Sequence, residues 1–140
     1  MSSSVEELVK QVELLEDYEE ASKALLQIVH RAPATGERLA LDLLRSNAGD
    51  VHLRAFAFSM LYRANKDTAF EYVRENASTC EARVFGAMLG EIADDVGLFD
   101  DSVDLQEMVA HLRSVIFHRH DKEADVVRRG VDEFLKVYGS

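Results

Sequence analysis

The sequence predicts an all-α fold of about four antiparallel helix pairs, on two observations. One is an internal repeat: a shift of 29 residues carries Ala40, Arg45, Asn47, Ala48, Arg54 and Phe56 onto Ala69, Arg74, Asn76, Ala77, Arg83 and Phe85. Neighbouring positions agree in class, Leu43 falling on Tyr72, Leu44 on Val73, Ala57 on Gly86 and Met60 on Leu89. A period of this length is typical of stacked helix-pair arrays. The other is that apolar residues recur at three- and four-residue spacing, while no segment alternates with the period of two of a half-buried strand.

Local chemistry places the elements. Ser3 and Ser4 each precede a glutamate by three residues, a capping-box pattern that starts a first helix near Ser4 with Leu8, Val12 and Leu15 on one face. Asp17 opens a second periodic run through Ala21, Leu25, Ile28 and Val29, which Pro33 ends. A third helix is expected from Thr35 to Arg45, broken by Asn47-Ala-Gly49. Asp50 then caps a fourth, whose apolar set of Val51, Leu53, Phe56, Ala57, Met60 and Leu61 is broad enough for burial on more than one side. The fifth begins around Asp67 and stops at Asn76, and Ser78-x-x-Glu81 is a capping box for the sixth. Gly86 and Gly90 cost helix propensity there, which a closely packed neighbouring helix would explain. After a connection from Asp94 to Ser102, Ser102 caps a seventh helix carrying Leu105, Met108, Leu112, Val115 and Ile116. His120 and Asp121 mark a turn, and the eighth carries Val127, Val131, Phe134, Leu135 and Val137.

Composition bounds the rest. At 140 residues and 47% hydrophobic, the chain is long enough for one domain, residues 1–140, with its own core. Cys80 is the only cysteine, so no internal disulfide can form, and the N-terminus has neither the basic region nor the apolar run of a signal peptide. A reducing cytoplasm is the expected compartment. Twenty-six acidic against 16 basic residues give a net charge of −10, which repels nucleic-acid phosphates and anionic lipid and attracts basic protein surfaces.

A family resemblance enters with the second helix of each pair. There an apolar residue is followed by arginine, a small residue three positions on and, in two copies, a large apolar one four later: Leu53-Arg54-x-x-Ala57-x-x-x-Leu61, Ala82-Arg83-x-x-Gly86 and Val127-Arg128-x-x-Val131-x-x-x-Leu135. This resembles the inner-helix pattern of HEAT-like repeats. The resemblance covers residues 35 to 94 well, departs from the pattern at Gly90, and is loose at both ends, as terminal capping units are. It implies a right-handed α-solenoid in which Arg54 and Arg83 tie neighbouring turns together.

Several constellations suggest chemistry. Arg54 and Arg83 recur at the repeat period, so pairing with carboxylates such as Asp50 or Asp42 is their expected role. His111 and His118 are seven residues apart, whereas two helical metal ligands need a separation of three or four, and a histidine-rich helix end suits the helix dipole. The aspartates after Ile92 lack the ligand alternation of a calcium loop. Cys80 near a helix start could have a lowered pKa, but it falls on the repeat position of Val51, where a small buried hydrophobe is expected. Tyr18, Tyr62, Tyr72 and Tyr138 are candidate contact anchors. No phosphate loop, nucleophile elbow, zinc-binding helix or Cys-His pair is present, so no catalytic, metal or cofactor residues are assigned.

Two acidic clusters remain. From Glu91 to Asp104 there are six acidic residues and no basic one, and Asp94, Asp95, Asp100, Asp101 and Asp104 are the first candidates for partner binding. Glu16, Asp17, Glu19 and Glu20, following Glu13, are the second. In charge and size the chain resembles the small acidic immunity proteins that neutralise nuclease toxins in bacterial competition, including those of contact-dependent inhibition systems. That resemblance implies a 1:1 complex with a basic toxin domain, in which carboxylates stand in for nucleic-acid phosphates, and no direct contact with nucleic acid or membrane. A scaffold or self-associating repeat protein is the alternative, which an exposed apolar end at the first or last helix would favour. A HEAT-like nucleic-acid-processing enzyme would need a basic groove that this charge argues against.

Overall fold

A computed structural model describes residues 4–95, 103–121 and 124–138, of which 103–105 by backbone only. Among the described residues there are eight helices and no strand: α1 (Val5–Leu14), α2 (Tyr18–Arg31), α3 (Pro33–Arg45), α4 (Val51–Ala64), α5 (Lys66–Asn76), α6 (Ala82–Asp94), α7 (Val103–His118) and α8 (Asp125–Tyr138). None of them is long and apolar enough to cross a membrane. The all-α reading therefore holds. The chain divides into two compact units, residues 1–69 and 70–140, with the boundary inside α5.

In the first unit, side-chain caps start three helices where the sequence places them. Ser4 Oγ accepts from Glu7 N at 3.2 Å, Asp17 Oδ1 from Glu19 N and Glu20 N at 3.0 and 3.2 Å, and Asp50 Oδ1 from Leu53 N at 2.8 Å. Each satisfies amides that a helix N-terminus leaves without a partner. Pro33 departs from expectation. It is the first residue of α3, which begins two residues before Thr35 and is separated from α2 by Ala32 alone. The ring's fixed φ and missing N–H suit the first turn of a helix as well as they stop the previous one. At the other end of α3, Asn47 has φ 53° and the amides of Asn47 and Ala48 bond back to Leu44 O and Leu43 O. This is a Schellman closure, followed by Gly49 at φ 69°.

α2 packs on α1, α3 and α4, and α3 on α4. Gly36 allows the α2–α3 contact, since a Cβ there would lie 2.6 Å from Val29 Cγ2 and 2.9 Å from Val29 Cα. Leu25, Ile28, Leu53, Phe58 and Leu61 form the centre of this core. The apolar set read from α4 needs correction, because Phe58 is fully buried whereas Phe56 is only half-buried. Asn65 and Thr68 tie the end of α4 to α3 through Glu37, whose two carboxylate oxygens accept from Asn65 Nδ2 at 2.9 Å and Thr68 Oγ1 at 3.1 Å.

The second unit centres on the contact of α6 with α8. A Cβ on Gly86 would sit 2.8 Å from Val126 O, and one on Gly130 would sit 3.0 Å from Gly86 O. The two backbones therefore touch, and two glycines let them. Gly90 has nothing within 4 Å of a Cβ position, so close packing explains Gly86 and leaves Gly90 unexplained. Phe85, Met88, Leu89, Ile92, Val127 and Phe134 on these two helices are buried, as are Met108 and Leu112 on α7. At the end of α8 Tyr138 donates to Ile92 O at 3.2 Å, and its ring centre lies 5.2 Å from that of Phe134 with the planes tilted by 46°. The start of α6 also differs from expectation. Ser78 caps nothing there; Thr79 N and Cys80 N both return to Asn76 O, and α6 begins only at Ala82, with Glu81 providing no side-chain cap. Ser102 lies outside the described residues. Leu135 and Val137, expected inward on α8, are 40% and 37% exposed.

Candidate functional site

The structure separates the acidic candidates into different environments. Glu16, Asp17, Glu19 and Glu20 sit together at the α1–α2 turn, and all four are exposed. One oxygen of Asp17 is engaged by the amides it caps. Lys23 lies 3.7 Å from Glu19 and 3.5 Å from Glu20, exposed pairs of the kind that contribute little energy. Glu13, one turn earlier, is exposed and has no ion pair among the described residues. Of the other group, Asp94 is exposed at the end of α6, but Asp95 is only 8% exposed. Asp95 is thus a buried carboxylate at the α6 C-terminus, unlike its exposed neighbour Asp94. Its charge, after burial itself, raises the pKa of Tyr138. Asp100 and Asp101 lie outside the described residues, as does the side chain of Asp104, whose backbone is in the first turn of α7.

Beside the acidic turn, α1 and α3 enclose a groove of about 240 Å³. Val12, Leu15, Leu39, Leu43 and Ala48 give it an apolar floor, and Glu13, Asp42 and Ser46 a polar rim. Leu14 at the end of α1 is 66% exposed, and Tyr18 at the start of α2 is 41% exposed. Of the four tyrosines offered as contact anchors, Tyr62 and Tyr72 are buried at 6% and 8%, which removes them from that role.

The second unit holds a different cluster, one that turns on a residue the sequence pattern does not mark. Arg119, just past α7, donates from Nη1 to Ala77 O at 2.7 Å and from Nη2 to Cys80 O at 2.9 Å. It forms a two-point pair with Asp121 at 2.8 and 2.6 Å, and its guanidinium lies 4.5 Å from the Phe85 ring centre. A planar cation saturated on carbonyls, a carboxylate and an aromatic face is a clasp, leaving little of its charge for a ligand. The Asp121 carboxyl is held below the usual carboxylate range, chiefly by its hydrogen bond to Arg119.

Arg54 holds the α3–α4 turn by donating from Nη1 to the carbonyls of Asn47, Ala48 and Gly49 at 3.1, 3.3 and 2.7 Å. In the repeated α5–α6 turn, Arg119 takes that place, whereas Arg83 has no hydrogen bond or ion pair among the described residues. Cys80 is not activated. Burial pushes its thiol up to about 11 against the smaller opposing pull of Arg119. Native Cys80 should therefore react with iodoacetamide on the order of 100-fold more slowly than an unfolded-chain thiol at pH 8, because only the thiolate attacks. Mass-spectrometric alkylation rates with and without denaturant check this.

A search of protein-family models, curated proteins and solved structures finds no match. The geometry alone carries the functional argument. His118 Nδ1 sits 2.8 Å from Ser114 O, and among the described residues no group of three or more His, Cys, Asp or Glu side chains could hold a metal ion. The acidic turn, contiguous in sequence, was visible as a run of carboxylates. The groove was not, because its walls come from helices some 25 residues apart.

Proposed function

We propose that this chain is a protein-binding inhibitor of the bacterial immunity-protein type, acting in the cytoplasm by docking an acidic surface on a basic, nuclease-type toxin domain. The observation that carries the reading is the α1–α2 turn, where Glu13, Glu16, Asp17, Glu19 and Glu20 are all exposed on a chain of net charge −10. Such a field steers basic partners and raises association rates more than it adds affinity. In this reading the helices stack as a right-handed α-solenoid of HEAT-like pairs, a scaffold whose usual use is to hold another macromolecule. The test is capture of the tagged chain's partner from its native host, followed by reconstitution. The expected result is a 1:1 complex with a basic protein that weakens steeply with salt and suppresses that protein's nuclease activity. Retention of the chain on DNA at moderate salt, or full nuclease activity within the complex, would overturn it.

A self-associating scaffold is the second reading. Leu14 at the end of α1 and Val126, Leu135 and Val137 on α8 are exposed apolar residues at the two helices where that reading needs them. Sedimentation over a hundredfold concentration range separates the two, since a scaffold grows with concentration and an inhibitor stays monomeric until its partner is added.

A further inference from the structure

The groove between α1 and α3 specifies more than charge. Its roughly 240 Å³ falls below the ~300–1,000 Å³ usual for a small-molecule site, so it suits one or two side chains presented by a protein. The floor is apolar, and the residues around it are acidic: Glu13 on the rim, then Glu16, Asp17, Glu19 and Glu20 in the adjoining turn. Asp42, on the opposite rim, has its charge shared with Arg38 at 3.5 Å. An apolar pocket inside a polar rim is the usual anatomy of a protein-binding site.

Leu15 adds a second observation. It lines the groove at the α1 C-cap with φ 54°, a left-handed conformation that glycine or asparagine adopts at far less cost. Keeping a branched apolar side chain there makes sense if that side chain is used. Leu14, the residue before Leu15, is 66% exposed.

We infer that this groove is the anchor site for the basic partner: it receives an apolar side chain, leucine or of similar size, from a partner segment in which lysine or arginine flanks that residue. The inference rests on the proposed acidic docking function and locates its centre. An acidic or uncharged segment with the same anchor would meet the carboxylates of the α1–α2 turn without compensation.

The test uses the intact chain, methyl-labelled for NMR, and three synthetic helical peptides: a lysine-rich peptide with a central leucine, the same peptide with alanine there, and a glutamate-rich peptide keeping the leucine. The expected result is that the first shifts the methyl groups of Val12, Leu15, Leu39, Leu43 and Ala48 and binds at least about tenfold more tightly than the second. Leu15→Gly, which relaxes the backbone while removing the side chain, and the exposed Glu13→Lys should each weaken the first peptide by about tenfold, with the spectrum of the folded chain retained. If both basic peptides shift only the amides of residues 13–20, the groove is not the anchor site and the charge-based reading survives. If the glutamate-rich peptide binds the groove as well as the first, a basic occupant is wrong. If no basic peptide perturbs the chain, both the groove and the acidic docking surface fail.

Discussion

Replacing Arg119 by methionine should lower the thermal midpoint by roughly 10 °C. Methionine keeps much of the side-chain volume but leaves the carbonyls of Ala77 and Cys80 and the carboxylate of Asp121 without their donor. Breaking a buried ion pair by removing one partner costs about 3–5 kcal/mol, and Asp121, still 29% exposed, can recover some water, which argues for the lower figure. With an unfolding entropy of about 2.1 cal/mol/K per residue over the chain, that becomes the stated shift. Calorimetry of the two proteins measures it. The pH dependence separates the pair from the carbonyl bonds. Asp121 has a lowered folded-state pKa, so its contribution is fully present above the ordinary value of 3.8 and is lost as pH falls through the lowered one. The stability gap between the native chain and Asp121→Asn should therefore close on acidification through that window. A gap unchanged down to pH 2 would mean that the carboxylate contributes nothing specific.

The two glycines of α6 should respond in opposite directions to alanine. At Gly86 the new methyl meets the Val126 carbonyl at 2.8 Å, and a backbone atom has no rotamer by which to yield. Overpacking of about 3 kcal/mol, less the ~1 kcal/mol that alanine gains in helix propensity, leaves a net loss near 2 kcal/mol. Gly90→Ala meets nothing and should keep the propensity gain, raising the midpoint by about 3 °C where Gly86→Ala lowers it by about 7 °C. The sequence reading treated both as packing glycines. Their shared spacing hid the difference, because which helix lies opposite each one is a long-range fact.

The same division runs through the fold. Ser4, Asp17 and Asp50 act on amides two or three residues away, so a local pattern suffices to read them. Ser78 has the same local pattern and caps nothing, because the preceding turn bonds back to Asn76 and its carbonyls are claimed by an arginine some 40 residues later. Phe56 carried the repeat identity while Phe58 fills the core, since on a helix this apolar all round periodicity does not single out the inward face. For the candidate site, the carboxylates from Glu13 to Glu20 were legible as a run. The burial of Asp95 and the groove beneath Leu15 depend on which helices meet, and no spacing rule encodes that.

The two arginine clasps imply an order of assembly. Arg54 reaches carbonyls five to seven residues behind it, so the α3–α4 turn can be secured as soon as that stretch of chain exists. The equivalent turn before α6 waits for Arg119, 39 to 42 residues downstream, and must close that longer loop before its carbonyls are satisfied. Equivalent turns in the two copies of the repeat thus differ in the sequence separation of the contacts that close them. During synthesis, the α5–α6 turn stays unclasped until Arg119 has emerged.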